Sequence, residues 1–385
     1  MAREVITVYA REEPPDRWDA AIFLAGPTPR APEVGSWRPE AIAELEERWK
    51  GGGRLVVFSP EDRHRVHFDY VGQVEWEERC LHLADEIVFY VPRDLATMPA
   101  FTTNVEWGMW HDSGRVVFGA PPEAPKNRYL LHYAAKLGVP RATDLPGTVA
   151  AALGRIGTGA PRAGGECQVP LLVWRTPSFQ QWYGAQRAAG NALLGARVVW
   201  SIGDHRGLRV RIRVAAEDRV KEGEVVIYRP DISAVVLYRP GPSLEETTVV
   251  LVREFRAPAA TPDGFVHEPP GGSAPGGAGG DPLRTALDEL AEETGLVLPP
   301  ERLRPHGDRQ VNATLSAHRA HVFSAEITAA ELAGLGTAGP RGVAADGERT
   351  LVEITTFGEI LRGRSADWAS VGMVAGVLAE AGLRG

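Results

Sequence analysis

Short apolar runs alternate with amphipathic stretches through the first third of the chain. The runs at 20–25, 55–58, 86–91 and 115–118 predict strands, and 39–50, 73–84, 104–113 and 127–137 carry apolar residues at helical spacing. Ile42, Leu45 and Trp49 mark the inward face of the first helix. Strands alternating with helices imply a parallel α/β sheet of Rossmann-like or flavodoxin-like type. Ligands of such sheets bind beyond the carboxyl ends of the strands. The loops 26–30, 59–65 and 92–104 are therefore expected to meet at one site.

The pattern changes after residue 150. Residues 151–166 are rich in glycine and alanine and read as a linker between a domain at 1–150 and a second at 167–385. Beyond it, an extended PLLVWR segment precedes a helix at 179–194. Strand-like runs follow at 208–214, 224–228, 234–238, 248–253 and 350–356, with a last helix running to Ala381. The aromatic and amide residues of 179–194 read as core rather than as a base-stacking surface. Asp281 and Pro282 form a helix start, Leu283, Ala286, Leu287 and Leu290 a buried stripe, and Gly295 a stop.

Composition narrows the function. A length of 385 residues fits two domains at roughly 150 residues each. The net charge is −8, and no basic tract favours a nucleic-acid polymer. Two cysteines, Cys80 and Cys167, exclude a disulfide framework. The first eighteen residues lack an apolar signal core, and no run approaches the length of a membrane span. A soluble cytoplasmic protein acting on small molecules, without membrane contact, is expected.

Two glutamates in the first domain stand out. Glu77 shares the face of its helix with Val74, Leu81 and Ala84, whereas Glu75, Glu78, Arg79 and His82 fall elsewhere. A carboxylate among apolar neighbours is paired or has a raised pKa that suits a general acid. Thr103 and Glu106 fit a capping box, a purely structural use of the second glutamate. The segments IFLAGPTPR, Ala84-Asp85 opening IVFYVP, and TTNVEWG together resemble the nucleoside 2-deoxyribosyltransferase-like family over roughly the first 140 residues. The resemblance implies that Glu106 is a nucleophile at an anomeric carbon and places Asp85 among the catalytic residues, while Glu77 is the candidate proton donor from its position on the apolar face. It also implies substrate contacts from Gly26, Pro27, Arg30 and Asn104. Thr103 and Asn104 stand where some members carry an aspartate.

The stretch 266–296 resembles the Nudix box in its second half, through Glu289, Leu290, Glu292, Glu293, Gly295 and Leu296. The loop after Gly272 is two residues too long, Gly280 replaces the early glutamate, and Asp288 replaces the arginine. Arg284 is placed to pair with Asp288 at i,i+4. Arg253-Glu254-Phe255-Arg256 precedes the box as in the ADP-ribose pyrophosphatase branch. The resemblance implies an α/β/α (α+β) domain with Glu289, Glu292 and Glu293 as ligands of magnesium or manganese. It further implies Arg253, Arg256, Gly271 and Gly272 at a nucleoside diphosphate and Glu348 as a loop base. His318 and His321, three apart on a strand, point to opposite faces and make a poor zinc pair. The chain is thus expected to be a bifunctional nucleotide-metabolising enzyme, joining N-glycosidic cleavage or transfer to pyrophosphate hydrolysis. The alternative is a nucleotide sensor with a degenerate Nudix site. Its partners are expected to be nucleosides or nucleotides, and its assembly a homodimer or higher homo-oligomer.

Overall fold

The computed structural model describes residues 3–31, 33–63, 69–203, 205–273, 280–335, 339–342 and 349–382. Glu348 and most of the expected Gly-rich loop, 274–279, lie outside the described residues. The chain divides into two units, 1–201 with 207–225 and 202–206 with 226–385.

In the first unit, β1 (Glu4–Tyr9), β2 (Arg17–Trp18), β3 (Ala20–Ala25), β4 (Arg54–Ser59), β5 (Glu86–Tyr90), β6 (Val116–Gly119) and β7 (Arg141–Ala142) alternate with helices. These are α1 (Arg38–Arg48), α2 (Tyr70–Leu83), α3 (Phe101–Trp110), α4 (Arg128–Lys136) and α5 (Leu145–Ile156). Six strands form one sheet in the order β1-β4-β3-β5-β6-β7, with every pairing parallel. The runs read as strands are buried on both faces, which is why they are continuously apolar rather than alternating. Strand β1 was not anticipated. Its half-exposed edge position gives it a weak apolar signal, and only its register with β4 marks it.

The expected linker is folded. Ala152 and Ile156 are buried in α5, and β8 (Arg162–Ala163) pairs with β2. The Arg162 side chain is wholly enclosed and grips Asp85 in two bonds of 2.8 and 2.6 Å. Small residues here permit close packing rather than looseness. Gly159 lies against the Asp19 backbone, where a Cβ would come within 2.6 Å of the carbonyl oxygen. Beyond it, α6 (Leu171–Trp174) and α7 (Pro177–Ala188) pack Trp174, Phe179 and Tyr183 together, with Thr176 capping α7. A separate sheet follows in the order β11-β10-β9, from β9 (Ala192–Ile202), β10 (His205–Val214) and β11 (Arg219–Tyr228). The unit boundary thus falls later than 151–166.

The second unit has a mixed sheet, β14-β13-β12-β17-β16. Its strands are β12 (Ile232–Arg239), β13 (Thr248–Phe255), β14 (Phe265–Glu268), β16 (Arg304–Gln310) and β17 (Arg319–Glu326). Strand β15 (Gly271–Gly272) pairs with β12, and β18 (Leu351–Thr356) with β13. Alternate residues of β12 face opposite ways, as the two-residue strand period requires. Val235 and Leu237 meet Ala286 and Leu290 of α8 (Pro282–Thr294). Val236 meets Val374 and Leu378, beyond α9 (Ala329–Leu335) and α10 (Phe357–Arg362), on α11 (Trp368–Glu380). The unit is a sheet with helices on both faces, and the whole protein is mixed α/β.

Candidate active site

Gly26 ends β3 with φ 153°, and a Cβ there would lie 2.2 Å from the Tyr90 carbonyl oxygen and 2.7 Å from the Trp37 ring. Only glycine lets this turn close over the strand end. Trp37 fixes the turn by donating from Nε1 to the Pro27 carbonyl at 3.1 Å. Arg38, the first residue of α1, is fully buried beneath it. Its guanidinium donates to Leu24 O at 3.0 Å, Gly26 O at 2.6 Å, Thr28 Oγ1 at 3.0 Å and Glu61 Oε1 at 2.8 Å. These partners bring the loop after β3 and the loop after β4 to one point.

Two further carboxylates face this cation. Glu77 on α2 accepts from Gln73 Nε2 at 2.6 Å, and the same amide donates to Pro60 O at 3.0 Å. Burial raises the Glu77 pKa, opposed by the Gln73 bond and the Arg38 charge. Glu106 on α3 is pushed up to about 7, first by burial and then by the Glu77 charge, with Arg38 pulling the other way. The carboxyl is ringed by protein while the residue stays partly open to solvent. Its surroundings therefore disfavour charge without closing it off from a ligand.

The helix start settles the capping question. Helix α3 begins at Phe101, three residues earlier than the sequence suggested, with Ala100 as a left-handed N-cap at φ 60°. Thr103 lies inside the helix, buried, with its hydroxyl unpartnered. Glu106 is mid-helix and is not part of a capping box. The expected inward face of α2 also shifts: Gln73, Trp76, Cys80 and Leu81 are buried, whereas Val74 is exposed. Glu77 borders that face instead of lying within it.

Asn104 is exposed at the front of α3 and accepts from Arg93 at 2.6 Å. Arg30 lies over the Phe101 ring at 5.4 Å. Gly26, Pro27, Arg30, Asn104, Glu77 and Glu106 thus all sit on the loops and helices that follow the carboxyl ends of the strands. Asp85 does not. It stands at the opposite end of β5, fully buried, accepting from Ala21 N and Leu171 N at 2.8 Å each as well as from Arg162. With all its acceptor capacity engaged and no exposure, it is a structural anchor and not a catalytic group. Arg38, Glu61 and Arg93 were missed in the sequence. One signal was present: an arginine opening a helix opposes the helix dipole and needs another partner.

In the second unit, α8 starts and stops as expected. Asp281 accepts from Leu283 N at 3.1 Å, and Gly295 has φ 74°. Arg284 donates to Asp288 at 2.9 Å. Glu293 is buried, accepts from Gly271 N at 2.8 Å, and has its pKa raised to about 8 by burial and then by Glu289, Glu268 and Glu254. Glu289 packs against Gly272, where a Cβ would come within 2.3 Å of its carboxyl oxygen, and Glu292 is exposed. Arg253 binds Asp263 at 2.7 Å, and Arg256 binds Glu268 at 2.6 Å and Glu254 at 2.9 Å. Among the described residues, no three acidic, histidine or cysteine side chains group as metal ligands. His318 meets Ser316 Oγ and His321 meets Asp231, so the two imidazoles go separate ways.

No curated protein matches the chain. A family model described as nucleoside 2-deoxyribosyltransferase like matches residues 19–124, the span that carries Gly26, Arg38, Glu61, Glu77 and Glu106. The first unit therefore contains a nucleoside 2-deoxyribosyltransferase-like domain.

Proposed function

We propose that the Glu106 cleft breaks the N-glycosidic bond of a nucleoside or nucleotide and passes the sugar to water or to a second base. The observation that carries this reading is the pairing of Glu106 with Glu77 beside a buried arginine. Mutual repulsion of two carboxylates makes them retain one proton between them as the pH rises. One ionised and one protonated carboxyl is the state that glycosyl transfer through a covalent intermediate needs. The Glu106 carboxylate attacks the anomeric carbon as the C–N bond breaks. The bonding electrons go to the base nitrogen, which takes the proton of Glu77. The resulting glycosyl ester is opened by water or an acceptor base, whose proton returns to Glu77. Arg38 favours the ionised carboxylate without leaving its own bonds to the strand end.

Incubation with nucleosides and nucleoside monophosphates, followed by product chromatography, tests the activity; no free base from any of them would defeat it. The pH profile tests the roles. For the wild type, kcat/KM is expected to fall above about pH 7, as the shared proton leaves. Glu77→Gln removes a charge that raises Glu106, so that alkaline limb should disappear and the residual rate should drop by about 10²-fold. An unchanged limb would exclude Glu77 as the proton donor.

For the second unit, magnesium-dependent hydrolysis of an ADP-ribose-like nucleoside diphosphate draws support from the carboxylates crowded round Glu293. The described side chains do not fit the ion as they stand, because Glu293 is engaged by Gly271 and no ligand trio forms. No step is derived through a metal. That arrangement favours nucleotide recognition by a degenerate Nudix-like site. Calorimetry should accordingly show no magnesium binding tighter than millimolar and none altered by Glu293→Gln. Micromolar binding abolished by that substitution would restore the hydrolase.

A further inference from the structure

The carboxyl ends of β6 and β7 open onto a cavity of about 640 Å³, next along the same sheet edge, whose three cations all lie beyond residues 19–124 matched by the family model. We propose that it is a second ligand site, which takes the phosphate of a nucleoside phosphate.

Three cations line the cavity, Lys126, Arg128 and Arg141, and no carboxylate does. All three are exposed at its rim, and no described acidic side chain pairs with them. This is unusual in a chain of net charge −8, in which most other arginines named above have a carboxylate partner. Grouped like charges repel unless an anion joins them. The start of α4 adds donors. Asn127 is the N-cap, a residue type that ordinarily accepts from the first-turn amides. Here its side-chain amide is buried and donates instead to Val91 O at 3.0 Å, and α4 has no side-chain cap. The first-turn amides of a nine-residue helix are left for another acceptor beside the three cations.

The remaining wall is apolar, from Leu131, Ala134 and Val139. A cavity with one charged end and one apolar wall fits a phosphate carrying a ring, and its volume is in the range of small-ligand sites. The site stands on its own residues and does not depend on catalysis at Glu106. The Asn127 bond to Val91 ties it to the strand that leads into α3, so an occupant would border the catalytic loop without belonging to it.

Calorimetry of the full chain with AMP, adenosine and inorganic pyrophosphate tests the assignment. AMP and pyrophosphate should bind saturably and adenosine at least tenfold more weakly. Raising the salt should weaken AMP binding, as screening of a partly exposed charge requires. Lys126→Gln/Arg128→Gln/Arg141→Gln should lower AMP affinity at least tenfold with an unchanged circular dichroism spectrum. Pyrophosphate, which has no glycosidic bond for the Glu106 site to act on, should lose affinity in the same variant. If the triple variant does not fold, Lys126→Gln alone, at an exposed loop position, should still weaken AMP about threefold. Wild-type affinity for AMP and pyrophosphate in these variants, or no saturable pyrophosphate binding to the wild type, would each overturn the proposal.

Discussion

Glu106→Gln is expected to reduce base release by at least about 10³-fold, the scale seen when a covalent nucleophile is removed from a catalytic unit. The substitution keeps shape and removes charge, so the effect separates chemistry from packing. Stability should move the other way. Glu106 has a pKa of about 7 when folded against an ordinary 4.5. The folded state therefore binds more protons than the unfolded state between those values, and the wild type loses stability as the pH rises through that window. The glutamine variant has no such loss, and its melting temperature at pH 8 should match or exceed that of the wild type. A variant that is inactive and also markedly less stable at pH 8 would point to a structural glutamate. Wild-type turnover would remove Glu106 from the mechanism.

Arg162→Met is expected to be the most destabilising of the substitutions considered, at about 3–5 kcal/mol, because it leaves the Asp85 charge buried and uncompensated. For a unit of this size that corresponds to a drop of roughly 10 °C in the melting temperature. The arginine also donates to Val169 O at 2.6 Å and Asp19 O at 3.1 Å, so three segments lose a common tie. Asp85→Asn in the same chain should recover part of the loss by removing the stranded charge. Full recovery is not expected, because Ala21 N and Leu171 N each rely on a carboxylate oxygen. Urea unfolding followed by tryptophan fluorescence measures both variants. A loss below about 1 kcal/mol for Arg162→Met would mean that the segment around residue 162 is as loosely attached as its composition suggests.

The two carboxylate sites differ in what holds them. Around Glu106, the buried cation Arg38 is fixed by backbone carbonyls and Glu61 and so offers a permanent charge. Around Glu293, the nearby cation Arg256 is itself engaged by Glu254 and Glu268. The first arrangement leaves a carboxyl open to a substrate, whereas the second satisfies its groups internally.

The sequence by itself determined most elements of the first sheet, because a strand buried on both faces must be continuously apolar and a covering helix must repeat its apolar face. Strand β3 was legible to the residue, and α8 could be read from Asp281, Pro282 and Gly295, since caps are local interactions. Glu77 and Glu106 were legible as anomalies in those patterns. Tertiary structure alone decided which partners they have. Arg38 meets Leu24, Gly26 and Glu61, and Asp85 meets Arg162 at a separation of 77 residues. Residue type and spacing carry no information about such distant partners. The same limit explains the misplaced linker: glycine and alanine mark both flexible chain and close packing, and only the neighbouring atoms distinguish the two. It also explains α3, whose start was read from a plausible cap when the left-handed Ala100 and the buried Thr103 place it earlier.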